Sequence, residues 1–185
     1  MKRIILSIMI IAAVAAFSIG CSQKDIVDNN ASSDEAAVNN KPEQLIEPCQ
    51  LISKTEAEEL IGESMLDAEK SENEVVGLKL CFYESLAEES DRFLQVSLTQ
   101  QAFMPEGDLT PKFLFESIKE NFEDELMILD GIGEEAFIAT PGIHILSGDY
   151  YIEIGVGNTS DDANIEILKT AGKKAVDNLE FLVNK

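Results

Sequence analysis

The stretch Leu78-Lys79-Leu80-Cys81-Phe82-Tyr83-Glu84-Ser85 decides the reading of the fold. With the two residues before it, Val76, Leu78, Leu80 and Phe82 alternate with Gly77, Lys79, Cys81 and Tyr83, which is the two-residue period of a β-strand. The first set makes a strongly apolar face, and Cys81 points to the other face. If Cys49 reaches Cys81 there, the segment entering the first helix must cover that face, at least locally.

Upstream, Pro48-Cys49-Gln50-Leu51-Ile52-Ser53 leads into a short helix: Ser53 and Glu56 have capping-box spacing, and Gly62 falls where a helix carrying Ala57, Leu60 and Ile61 should stop. Downstream, Arg92 to Gln100 reads as a second strand, with Leu94, Val96 and Leu98 on one side. Thr110 as N-cap and Pro111 as first helical residue start a helix whose Leu114, Phe115, Ile118 and Phe122 form an apolar stripe. Two short strands follow, within Gly133 to Thr140 and Ile143 to Leu146, joined at Pro141-Gly142. Ser147-Gly148-Asp149 turns the chain into a longer strand with Tyr150, Ile152, Ile154 and Val156 on one face. Ser160 or Asp161 can cap a terminal helix carrying Ile165, Leu168, Ala171, Ala175, Leu179 and Leu182. The elements predict an α+β domain: a mostly antiparallel sheet with helices packed on it, both faces being open to them. A strand-strand-helix order recurs in the two halves without residue identity between them.

The chain begins with Lys2 and Arg3, then an apolar run from Ile4 to Ala16 and small residues, the pattern of a secretory signal peptide over residues 1–20. The run is short of the roughly 20 apolar residues that a bilayer crossing needs, so a retained membrane helix is the weaker reading. Ser18-Ile19-Gly20-Cys21 resembles the lipobox of bacterial lipoproteins, in which cleavage leaves a cysteine that carries a diacylglycerol. That resemblance implies lipidation at Cys21, a palmitate-type fatty anchor, and a location on the outer side of the cell membrane, or on an outer membrane where one exists. Cleavage after Ala15, in the small-x-small pattern Ala13-Val14-Ala15, is the competing reading.

Three cysteines in an exported chain leave one over once a pair has formed, and lipidation of Cys21 accounts for it. Cys49 and Cys81, 32 positions apart, are then expected to bond in an oxidising compartment. A nucleophilic role for Cys81 would need a basic neighbourhood to hold a thiolate, whereas this region is acidic and His144 is the sole histidine. A zinc site would need paired ligand motifs, and the sequence contains none.

Residues 22–44 are rich in Asn, Asp, Ser, Ala and Gln, with Ile26, Val27 and Val38 as their few sizeable apolar residues up to Asn40, so 21–44 reads as a lipidated N-terminus and disordered tether. Its reach would be roughly 25 to 30 Å, enough to hold a domain clear of a lipid surface. Residues 45–185 form the single folded domain, long enough to bury a core. The formal charge of the whole chain is −21; loss of Lys2 and Arg3 with a signal peptide would leave 12 basic against 35 acidic residues, or −23. Such a charge argues against nucleic acid as a partner and against lying flat on anionic lipid. No segment has the oxygen-ligand spacing of a calcium loop, and no cofactor or metal motif is present.

A family resemblance is carried by Pro48-Cys49-x-Leu51-Ile52-Ser53-x-x-Glu56-Ala57 ending at Gly62, by Cys81-Phe82-Tyr83, and by Gly131-Ile132-Gly133-Glu134-Glu135-Ala136-Phe137. Together these are similar to the uncharacterised secreted lipoproteins common in actinobacteria, whose domain is related to the extracellular sensor domain of a mycobacterial serine/threonine kinase. The resemblance implies a two-cysteine staple, here Cys49 with Cys81, a sheet with helices on both faces, and binding or sensing rather than catalysis.

Two function classes follow. The first is a surface-anchored binding or sensing module for a small ligand, a wall component or an envelope protein, with Tyr83, Phe103 and Tyr151 as candidate contact residues. The second is an enzyme outside the membrane using His144 with Glu134, Glu135 or Asp149. Alternation with Ile143 and Ile145 puts His144 on the outer face of its strand, which favours the first class, and motifs for a serine nucleophile or a phosphate-cradling loop are missing. A structural subunit of an envelope complex would share the sequence features of the binding module.

Overall fold

A computed structural model describes residues 45–185; the expectations for the signal peptide, Cys21 and the tether fall outside those residues. Seven strands form one sheet, antiparallel throughout, in the order β1-β2-β3-β7-β6-β5-β4. They are β1 (Glu69–Asn73), β2 (Leu78–Glu84), β3 (Phe93–Gln100), β4 (Met127–Leu129), β5 (Glu135–Ala139), β6 (Gly142–Ser147) and β7 (Tyr150–Gly155). Three helices, α1 (Lys54–Ile61), α2 (Pro111–Asn121) and α3 (Asp162–Val183), complete the α+β fold. No helix among the described residues is long and apolar enough to cross a membrane.

Local chemistry sets the helix ends. The Ser53 amide donates to Glu56 at 2.8 Å while the Glu56 amide donates back to the Ser53 hydroxyl at 3.4 Å, and Gly62 stops the helix in the left-handed conformation at φ 79°. Thr110 and Asp161 cap α2 and α3 through their side chains.

The helices divide between the faces. On the first face, Val96, Leu98, Ile143, Ile145, Ile152 and Ile154 pack beneath Leu168, Ala171, Ala175 and Leu179 of α3 and Ala57 and Ile61 of α1. Gly172 lets α3 come close, since a Cβ there would lie 2.8 Å from the Ile143 side chain. On the second face, α2 sets Phe115 against Phe137 and Tyr151, with Leu146 and Ala139 beneath. Burial of one such aromatic ring stabilises the fold by about 2 kcal/mol, enough to hold a short helix down.

The face of β2 that carries Cys81 is the one covered by the segment before α1, and it is the more deeply buried of the two. Cys81 and Tyr83 face the deep core at 0% and 2% exposure, while Leu78, Leu80 and Phe82 lie half-buried on the second face. Both faces of β2 are apolar, and the side that receives α1 and the segment before it becomes the interior. Cys49 and Cys81 are disulfide-bonded there, with Cα atoms 5.4 Å apart. The same leading segment is held by buried Gln100, whose amide group accepts from the Ile46 N–H at 2.9 Å and donates to its carbonyl at 2.8 Å.

Candidate functional site

The second face of the sheet is covered over only part of its width. Above β5, β6 and β7 lies α2; above β2 and the near end of β3, Leu78, Leu80, Phe82, Phe93 and Gln95 remain half-buried. Phe82 and Phe93 stack there across the two strands, ring centroids 5.6 Å apart and 30° from parallel. Strand register continues this surface inward: Gln95 opposes Gly155, and Ser97 opposes Glu153, which in turn opposes His144.

Where β3 meets the β5–β6 turn and the connection from β7 to α3, a cavity of about 270 Å3 opens on this same face. Phe93, Gln95, Thr140, Pro141, Gly155 and Asn158 are among its walls. A wider depression of about 780 Å3 beside Glu63, Ser85 and Arg92 lies open to solvent. Its walls contain the Ser85 hydroxyl donating to Glu63 at 2.6 Å and the Arg92 guanidinium donating to the Ile61 carbonyl at 2.8 Å.

Next to the small cavity, under α2, sits a polar group in the interior. His144 is 1% exposed, and its ring stacks on Phe137 with centroids 4.8 Å apart. Its Nδ1 lies 2.7 Å from the Tyr151 hydroxyl, and Glu153 Oε2 is 3.5 Å from that hydroxyl and 3.8 Å from Nδ1. The hydroxyl donates towards Glu153 Oε2, so the short contact is the Nδ1–H donating to the hydroxyl oxygen, which leaves Nε2 as the unprotonated nitrogen. Nε2 is buried without a well-formed hydrogen bond.

Burial pushes the His144 pKa down to about 4, against the opposing influence of the backbone at Ala139 and Thr140. Burial also raises Tyr151, aided by the negative Glu153, and raises Glu153, against the Tyr151 hydrogen bond. At neutral pH the group therefore holds an uncharged imidazole and phenol, locked by one short hydrogen bond. A base with this pKa, sealed by rings on two sides, is poorly placed to meet a substrate.

The candidate contact residues do not converge. Tyr83 lies in the first-face core, its hydroxyl donating to the Ile52 carbonyl at 2.9 Å and its pKa raised by burial and then by Glu56. Phe103 stands past the end of β3 with the Lys79 ammonium 4.8 Å from its ring centre. Tyr151 is covered by Phe115, so of the three only Phe103 keeps substantial access to solvent. His144 does point away from Ile143 and Ile145, but that outer face is interior here because α2 folds over it. Its carboxylate neighbour is Glu153. Glu134 instead accepts from the Gly148 amide, Glu135 pairs with Lys119 at 2.7 Å, and Asp149 is exposed in the β6–β7 turn.

Sequence reasoning missed Glu153, Phe93 and Gln95. The pairing of Tyr151 with Glu153 on one face was legible from the two-residue period; that this face met His144 required the strand order. Among the described residues, no group of three or more His, Cys, Asp or Glu side chains is placed to hold a metal ion. Comparison of the chain with protein-family models, with curated proteins and with solved structures gave no match.

Proposed function

We propose that the protein is a lipid-anchored binding or sensing module that works outside the cytoplasm, and that it binds on the uncovered part of the second sheet face. The observation that carries this reading is the strip Leu80, Phe82, Phe93 and Gln95, a partly exposed apolar surface with a polar margin and a cavity at its inner end. Uncovered apolar surface next to a concavity is the common form of a recognition site. The anchor and location rest on the lipobox-like Ser18 to Cys21. Similarity to secreted lipoproteins with a sensor-type domain supports the same reading, with a small ligand, a wall component or an envelope protein as what is bound.

The test places a photocrosslinking amino acid at Leu80 in the membrane-anchored protein in its own cells, with a second copy of the experiment at exposed Phe181 on α3. A defined adduct at position 80 and none at 181 is the expected result; equal or absent labelling at both positions refutes the assignment of the face. The enzyme reading depends on His144 and predicts that His144→Gln abolishes function in a folded protein, whereas the binding reading predicts retention.

A further inference from the structure

We infer that the cavity beside Gly155 is a subsite for one ring of a neutral sugar. This rests on the binding-module reading and adds the chemical class of what the site takes.

Gly155 supplies the first argument. A glycine within a sheet weakens it, and it is retained where backbone geometry, tight packing or a ligand requires the space. The backbone at Gly155 is outside the left-handed region, and a Cβ there would make ordinary contacts, 3.5 Å to the Pro141 carbonyl oxygen and 3.9 Å to Phe93 Cε2. Conformation and packing thus leave room for a side chain. What the missing methyl leaves is space above the Gly155 backbone at the floor of the cavity, between the Phe93 ring and Pro141.

The walls supply the second. No charged residue is among those that line the cavity; they offer the Gln95 amide, the Thr140 and Thr159 hydroxyls, the Phe93 ring and the amide hydrogens of Asn158, whose Oδ1 accepts from the Ser160 N–H at 2.9 Å. Gln95 spends one amide hydrogen on the Ser97 hydroxyl at 3.3 Å, leaving its carbonyl oxygen and second hydrogen available. Glu153, two residues before Gly155 on the same face, is turned to Tyr151. An ionic ligand would meet no opposite charge among the lining residues, and an anion would in addition approach a chain of formal charge −21. Mixed donors and acceptors beside an aromatic wall suit a ring that is hydroxylated at its edge and apolar on its face. The volume of about 270 Å3 lies just under the usual range for drug-sized ligands, which sets the occupant at a single ring.

The experiment titrates the purified full chain with glucose and with N-acetylglucosamine, using glucuronate and spermidine as anionic and cationic controls. The readout is the NMR signals of the Gln95 and Asn158 side-chain amides. The expected result is a saturable shift with at least one neutral sugar, in the millimolar range usual for a single-ring subsite, and none with either ion. Gly155→Ala and Phe93→Ala should each weaken the sugar by about tenfold or more in a protein that stays folded, with spectral changes in the unliganded Phe93→Ala variant confined to the surroundings of Phe82 and position 93. Absence of any saturable shift, an equal response to an ion, or undiminished binding by a folded Gly155→Ala variant overturns the inference. A position-80 adduct in cells alongside no sugar response would overturn the sugar alone; failure of both would remove the binding module as well.

Discussion

Replacing His144 and Tyr151 together by phenylalanine should make the fold more resistant to acid. The wild-type imidazole has a folded pKa of about 4 against an ordinary 6.5, because burial disfavours its cation. With the folded value the lower, the unfolded chain binds the proton first as pH falls. Stability is thus complete above pH 6.5, declines as pH drops below it, and reaches its full loss below pH 4. At 1.36 kcal/mol per pH unit the loss is about 3 kcal/mol. Around the ring, β7 contributes Tyr151 and Glu153, while α2 presents the apolar Phe115. Glu153, whose pKa is raised, works in the opposite sense; loss of the Tyr151 hydrogen bond raises it further in the variant, which adds to the variant's advantage in acid. The double variant removes both partners of the 2.7 Å hydrogen bond, and the Glu153 carboxylate also loses its 3.5 Å contact with the Tyr151 hydroxyl; at pH 7 the variant should lie within about 2 kcal/mol of wild type. The assay is urea unfolding of both proteins at pH 7 and pH 4. Wild type should lose about 3 kcal/mol more than the variant over that interval. Equal losses would refute the account of a neutral, enclosed imidazole.

Three further outcomes are expected. Reducing the Cys49–Cys81 bond, or replacing both cysteines by serine, should cost about 3 to 4 kcal/mol of unfolding free energy on the chain-entropy account, and mass analysis of the untreated protein should find neither thiol free. Gln100→Leu leaves the buried N–H and C=O of Ile46 without partners and should destabilise the fold by about 2 to 4 kcal/mol, read by denaturation and by faster hydrogen exchange at Ile46. Cys21→Ala should move the protein from membrane to soluble fractions; continued membrane retention would refute the lipid anchor.

The parts of this fold that sequence made legible are those with a local signal. The capping box at Ser53 and Glu56, the Thr110-Pro111 start of α2 and the turn at Pro141-Gly142 each declare themselves within a few residues. Strand β1, Glu-Lys-Ser-Glu-Asn, has no apolar alternation because both its faces are exposed, and only pairing with β2 reveals it. Which face of β2 lies deeper was not legible for a related reason: Leu78, Leu80 and Phe82 compete with Cys81 and Tyr83, and the choice belongs to the segment and helices that cover one side. At the candidate site, alternation separated His144 from its isoleucine neighbours. Whether the outer side was wet or dry depended on where α2 came to rest, a matter of tertiary packing that no window of sequence contains.

The fastening at the start of the domain has a mechanical consequence. Tension applied through the backbone at residue 45 meets the paired amide of Gln100 at Ile46 and then, three residues on, a covalent link into β2, the second strand of the sheet. The load passes sideways into the sheet before it can reach α1. A pull from the N-terminal side is thereby borne by a sulfur bridge and a strand ladder, and the helices and the surface beside Gly155 are spared from being peeled away one turn at a time.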